Sequence, residues 1–432
     1  MTILKPAFTF LLLLAAASSS NQSATQQLQA LRQSIRKSRD AKDWQSNVAT
    51  ARDLKAFMNE SPNSLLELSR AEIHAGDMAD AIRNVQQFAR MGQSTELFES
   101  SQEFAALRDQ TTFAEIQRAM NANRTSVGLA SPAFPLSDSR LLAEDVDYDP
   151  LGKQFLVTSI REKKIISAAS GSIRDFAKAP DNWSMMAIKV DSKRGLLWAT
   201  EVALQGLVFA PEPDWGRSAV LSYDLKTGKL LRRIEGPHGT ALGDMTLTGD
   251  GDVIVSDGEG GGVYRLSKSD ALERLDNGDF ISPQTPAMHP DGKHIFVPDY
   301  LRGIGVLDLA TRQVHWLSTE GRFALNGIDG LYLHSSKLIA VQNGTSPERV
   351  VEFTLNAALT RIESERIIEK STPTLGDPTH GVIIGDKFYY IANSGWDIVD
   401  DHGNVKPDAQ MTVPQVMWVK EDVPGADHAG KP

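Results

Sequence analysis

Pro290-Asp291-Gly292-Lys293-His294-Ile295-Phe296-Val297-Pro298-Asp299 reads as a tight turn, then an apolar strand that ends on a polar residue. Asp and Gly suit the turn, because Asp bonds its own backbone and Gly accepts a positive φ. Five further copies of this hairpin can be found. Their strands are Phe155-Leu156-Val157, Leu197-Trp198-Ala199, Val253-Ile254-Val255, Leu338-Ile339-Ala340 and Tyr389-Tyr390-Ile391. Each follows turn residues, such as Gly249-Asp250-Gly251 or Gly385-Asp386. A third strand comes after most copies, for example Val220-Leu221-Ser222-Tyr223 and Val306-Leu307-Asp308-Leu309. Leu230 to Ile234 gives a fourth. Four antiparallel strands repeated at a period of about 40 to 57 residues predict propeller blades. Six blades, rather than seven, fit the span from about residue 126 to the C-terminus. The sixth runs out of chain after Val416-Met417-Trp418-Val419. The stretch Val127 to Leu136 is expected to supply its missing outer strand and leave no open edge.

Upstream the period is helical. Trp44, Val48, Ala51, Leu54 and Phe57 recur at three- and four-residue steps, as do Met78, Ala81, Ile82, Val85, Phe88 and Ala89. Phe104, Leu107, Phe113, Ile116 and Met120 predict a third helical pair. Residues 24–123 therefore form a small α-helical domain, and the fold class is mainly β, a six-bladed propeller preceded by these helices. Leu65, Leu68, Gly76, Ala81 and Val85 fall at the spacing of one tetratricopeptide repeat, with Gly76 at the interhelix turn. Such hairpins either hold a protein or peptide partner in a groove or brace the larger domain.

Residues 1–20 read as a signal peptide: Lys5, a short apolar run around Leu11-Leu12-Leu13-Leu14, then Ala15-Ala16-Ala17 before polar Ser18. The expected location is periplasmic or secreted. The run is too short to span a bilayer, and no other stretch is apolar enough. The chain has no cysteine, which removes disulfides, thiolate metal sites and thiol nucleophiles together. Its net charge of −10, with no basic block, argues against nucleic acid as a partner.

Inner propeller strands begin at one mouth of the central channel, so one offset in every blade faces the axis. That offset holds Glu144-Asp145, Met186-Ala187, Asp244, Gln284-Thr285, Asn326 to Asp329, and Thr379-His380 in blades 1 to 6. Carboxylates and amides converging there suit a divalent cation, Ca²⁺ before others. Unpaired carboxylates crowded together call for a positive charge. The candidate metal ligands are Glu144, Asp244, Gln284, Asn326 and Asp329. Asp329 and His380 are the candidate catalytic groups. The competing reading is that such residues only bond turn amides. Asp257, Asp299, Asn343 and Asn393, which end second strands, are expected to do so. His289, His294 and His334 sit at hairpin turns and read as incidental. Trp183, Trp198, Trp215, Trp316, Trp396 and Trp418 read as inter-blade core.

The Pro290-Asp291-Gly292-Lys293 turn, the segment Asn326-Gly327-Ile328-Asp329-Gly330-Leu331 and Glu144 together resemble the family of senescence marker protein, gluconolactonase and luciferin-regenerating enzyme. The resemblance implies a divalent ion held by Glu144 and Asp329, with Asp329 also the base, and hydrolysis of a small lactone or ester. Where that family has an asparagine, this chain reads Ser282-Pro283-Gln284-Thr285-Pro286, so Gln284 or Asp244 stands as the oxygen donor. A small-molecule or carbohydrate-derived ligand is the expected partner. The alternative is a non-catalytic propeller that binds a ligand or a protein.

Overall fold

The computed structural model describes residues 22–169 and 172–420. The expected signal peptide lies outside the described residues.

Helix α1 (Ala24–Asp40) opens with a reciprocal cap, in which Ser23 and Gln26 each satisfy the other's backbone N–H. It is followed by α2 (Trp44–Phe57), α3 (Pro62–Ala75) and α4 (Met78–Arg90). Pro62 at the first turn of α3 costs no hydrogen bond, and Gly76 ends the helix at φ 86°. Leu65, Ala81 and Val85 are fully buried between α3 and α4, the contact that the repeat spacing implied. The third helical pair differs from expectation. Its first member is broken into α5 (Leu97–Ser100), a 3₁₀ turn at Gln102–Phe104 and α6 (Ala105–Arg108), ahead of α7 (Phe113–Asn123). The break falls at Ser101, whose backbone is extended and whose side chain accepts from Glu103 N–H. Phe104, Leu107, Ile116 and Met120 still pack on Val85 and Phe88, so the apolar pattern survives the break.

Six sheets follow among the described residues. Their inner strands are Ala143–Asp149, Ser184–Asp191, Leu242–Leu247, Ala287–Met288, Ile328–His334 and Gly381–Ile384. These open blades 1 to 6, and in blades 1 to 5 the strands follow one another outward in chain order. Blade 6 closes as the run of chain predicts: Ser131–Pro135 pairs antiparallel with Gln415–Lys420, with Ser131 opposite Trp418. Val127–Gly128 adds a short fifth strand to blade 5, opposite Lys370 and Glu369. The chain between the helices and blade 1 thus stitches two blades together.

Six apolar clusters lie one at each blade boundary, for example Leu156 and Ile165 with Met185 and Ile188 between blades 1 and 2. Ring closure matters because every blade buries both faces against neighbours. Trp198 and Trp316 belong to such seams, as expected. Trp183 and Trp215 instead pack under the loop that joins the second and third strands of blade 2.

The helices rest on the face where the inner strands begin. Ala24 N–H donates to Gly278 O (2.8 Å), and Ser94 N–H to Ser346 O (2.6 Å). Arg302 donates to Phe57 O (3.0 Å), and its guanidinium lies 4.3 Å from the Phe57 ring and 4.2 Å from the Trp316 ring. The helical domain therefore shares a face with the channel mouth.

Candidate acid–base and cation centre at the channel mouth

The mouth is built from irregular strand starts. The inner strands of blades 1, 2, 3 and 5 each slip register at their first residues, between Ala143/Val146, Met185/Ile188, Leu242/Asp244 and Ile328/Gly330. A bulge re-aims the side chains beside it. The slips fall at Glu144-Asp145, Met186-Ala187, Gly243-Asp244 and Asp329, the common offset read from the sequence. In blades 1 to 3, hydroxyls on the second strands tie the blade to the inner strand of the next. Thr158 Oγ1 donates to Met186 O (2.5 Å), Thr200 Oγ1 to Gly243 O (3.5 Å) and Ser256 Oγ to Gln284 O (2.8 Å).

Four of the expected residues meet. His380 Nε2 lies 2.5 Å from Asp244 Oδ1 and 3.9 Å from Asp329 Oδ1, and His380 Nδ1 lies 2.9 Å from Glu144 O. Ligating atoms of Glu144, Asp329 and His380 all fall within 4.8 Å of one another. Each carboxylate is anchored through one oxygen. Trp396 Nε1–H donates to Glu144 Oε2 (2.8 Å), and Asn343 Nδ2–H to Asp329 Oδ2 (2.9 Å). Thr285 Oγ1–H donates to Asp244 Oδ1 (2.7 Å). Tyr300 O–H in turn donates to Asn343 Oδ1 (3.0 Å), which fixes the amide's orientation.

The protonation pattern follows from these partners. Both nitrogens of His380 face acceptors, and a neutral imidazole has only one N–H, so the ring is an imidazolium or shares a proton with Asp244. Burial works against the charge, but Asp329 and Asp244 outweigh it and hold His380 well above the usual imidazole range. Burial, reinforced by Asp329, raises Glu144 to about 8. Burial raises Asp329 to about 6, opposed by His380 and the Asn343 hydrogen bond and assisted by Asp244. Nearby, burial and then Glu348 raise Asp377 to about 7, and Asp377 N–H donates to Glu348 (2.7 Å). The mouth is thus an acidic bowl with His380 built into it as a cation.

The remaining expected residues go elsewhere. Gln284 donates to Ser282 O (3.3 Å) and Ser282 Oγ (3.1 Å), which ties its amide to its own loop. Asn326 lines a cavity of about 290 Å³ between the helices and blades 4 and 5, its Oδ1 buried without a hydrogen-bond partner. Neither side chain hydrogen-bonds a member of the cluster. Asp145, in the same bulge as Glu144, is engaged by blade 2. It accepts from Ile188 N–H (2.9 Å) and Lys189 Nζ (2.7 Å), locking blade 1 to blade 2. Thr379 Oγ1, beside His380, is buried without a partner.

Two residues of the site were not expected there. The sequence pattern groups Asn343 with Asp257, Asp299 and Asn393 as residues that bond turn amides. The last three do bond backbone N–H groups, but Asn343 bonds Asp329 and Tyr300. Trp396 was assigned to inter-blade core, yet it bonds Glu144 and packs on Phe209 at 6.3 Å between ring centres. Leu142, Ile160 and Phe209 complete this apolar wall beside the mouth. Below the cluster, a cavity of about 230 Å³ lined by Asp147, Lys189, Thr246, Thr285, Tyr332 and Gly381 occupies the channel.

The donor set fits a hard divalent cation. With one oxygen of each carboxylate anchored, Glu144 Oε1 and Asp329 Oδ1 carry no hydrogen bond and face the cluster, whereas His380 Nε2 is engaged by Asp244.

No protein-family model and no curated protein matches the chain. Solved structures similar to it include a gluconolactonase from Xanthomonas campestris (14% identity, 68% of this chain and 99% of that one, TM-score 0.45). A luciferin-regenerating enzyme (13%, 68% and 98%, 0.47) and a virginiamycin B lyase from Staphylococcus aureus (10%, 67% and 98%, 0.43) are others. The first two carry names from the group that the repeat pattern resembles. The six-bladed architecture itself rests on the strand order described above.

Proposed function

We propose that the channel mouth hydrolyses a small lactone or related ester, in an exported protein, with a divalent cation of the Ca²⁺ class held by Glu144, Asp244 and Asp329. The observation that carries this reading is the clustering of the Glu144, Asp329 and His380 ligating atoms within 4.8 Å, with Asp244 bonded to His380 beside them. An ion bound there would polarise the substrate carbonyl.

The protein's own groups account for the proton. Asp329 has Oδ2 fixed by Asn343, so Oδ1 would take both roles that the resemblance implies, one lone pair toward the ion and the other as general base. Its carboxylate takes a proton from water as the water oxygen bonds to the carbonyl carbon. When the ring C–O bond breaks, the same carboxyl returns the proton to the leaving oxygen, and the product is a hydroxy acid. His380 is held by Asp244 and Glu144 O, so it acts as a fixed positive charge that favours ionised Asp329. The apolar wall of Leu142, Phe209 and Trp396 keeps one side of the site dry.

Hydrolysis of aldono- and acyl-lactones by wild type and Asp329→Asn, followed by acid release, tests the reading. The expected loss in the variant is about 100-fold or more. A second reading, a non-catalytic binding propeller, is favoured by one observation: His380 already supplies a cation to the carboxylates. Equal, background-level hydrolysis by both proteins would favour that second reading.

A further inference from the structure

We propose that the turn closing blade 4 is a separate metal site, formed by His289, Asp291 and His294, that takes a borderline transition-metal ion such as Zn²⁺. It lies at the end of the inner strand, on the face opposite the channel mouth, and shares no residue with the carboxylate cluster.

The turn brings three ligating atoms onto one point. His289 and His294 close the hairpin, with His289 N–H donating to His294 O (3.0 Å). Their Nδ1 atoms lie 3.0 and 2.6 Å from the same oxygen, Asp291 Oδ2. The three side chains' ligating atoms fall within 4.8 Å of one another. Tetrahedral Zn²⁺ with ligands at about 2.0–2.1 Å separates them by about 3.3 Å, so only small side-chain rotations are needed. Two imidazoles and one carboxylate select a zinc-like ion over Ca²⁺, which prefers oxygen alone.

The surroundings hold the ligands in this pose. Asp291 Oδ1 accepts from Lys293 N–H (2.8 Å) and His294 N–H (3.1 Å), which leaves Oδ2 turned to the imidazoles. His289 Nδ1 has only the long contact with Asp291 N–H (3.3 Å) and the one with Asp291 Oδ2 (3.0 Å), which a metal bond to this nitrogen would replace. On the far side, His294 Nε2 faces Asp308 Oδ2 at 3.7 Å. Asp308 Oδ1 is committed to Ala310 and Thr311 N–H groups. When a metal displaces the proton from Nδ1, the remaining N–H is on Nε2 and faces this carboxylate.

The test is titration of untagged, chelator-stripped full-length protein with Zn²⁺ by calorimetry, and with Co²⁺ by visible absorption. Asp329→Asn serves as the background in which the channel mouth is impaired. That variant is expected to bind one equivalent of Zn²⁺ and to develop a tetrahedral Co²⁺ band. His289→Gln/His294→Gln in the same background should lose both, and Asp308→Asn should bind about tenfold more weakly. Binding and spectra unchanged by the double substitution, or no binding in the Asp329→Asn background, would overturn the assignment. Because the readouts are metal binding and colour, failure here leaves the hydrolase reading untouched.

Discussion

His380 and Asp244 belong to blades 6 and 3, which face each other across the ring, and their side chains meet at 2.5 Å. The bond is a strut across the channel axis as well as part of the acidic bowl. Removing the imidazole leaves Asp244, Glu144 and Asp329 without their nearest cation. His380→Ala should therefore lower stability by about 3–5 kcal/mol, the usual cost of breaking a buried charged pair from one side. Urea unfolding at neutral pH measures it.

The same pair gives stability a pH dependence. The folded-state value of His380 is raised, so its contribution is complete below the unfolded value near 6.5 and fades as pH climbs through the folded one. Glu144 acts in the same direction. Raised to about 8, it binds a proton in the folded state that the unfolded chain releases between about 4.5 and 8. The melting temperature of metal-free protein should fall between pH 6 and pH 10, and the fall should shrink in His380→Ala.

Asn343 positions Asp329 and helps it to ionise. Asn343→Ala should lower kcat/KM for lactone hydrolysis about 100-fold, the scale expected for a misplaced reacting group. It should also move the acidic limb of the rate profile to higher pH, because the Asn343 hydrogen bond holds the Asp329 carboxyl down. A merely structural role would leave that limb where it is.

Ring closure depends on Ser131–Pro135, and Phe134 anchors that strand against Phe155 at 4.8 Å between ring centres. Phe134 is only half-buried, so Phe134→Ala should cost about 2 kcal/mol rather than the full price of a core aromatic. Chemical denaturation should show a lower midpoint.

Arg302 couples the two domains by lying between Phe57 and Trp316. Arg302→Ala should raise amide exchange at Phe57–Ser61 and around Gly278 while leaving exchange in blades 1 and 2 unchanged. Mass-spectrometric hydrogen exchange reads both regions in one experiment.

The blades were legible because each hairpin is local: turn chemistry and a strand lie within about ten residues. Closure by residues 131–135 was legible too, since blade 6 visibly lacked a strand. The convergence of Glu144, Asp244, Asp329 and His380 followed from one offset repeated around an axis. What surrounds them did not. Asn343 and Trp396 sit after second strands, where their direction depends on loop paths between distant residues. Crowded carboxylates at one offset call for positive charge, and how much of it His380 supplies depends on partners from blades 1, 3 and 5 that no single stretch of sequence shows. Gln284 lies in a loop with Pro283 and Pro286, and its amide turns back on Ser282, a path that its spacing does not show.

Metal-dependent turnover tests the central claim most directly: hydrolysis of the lactone panel by chelator-stripped wild type, before and after adding Ca²⁺. The account predicts turnover that chelation abolishes, that Ca²⁺ restores, and that Asp329→Asn lacks under both conditions. No hydrolysis of any lactone by wild type with Ca²⁺, Mn²⁺ or Zn²⁺ present would contradict it.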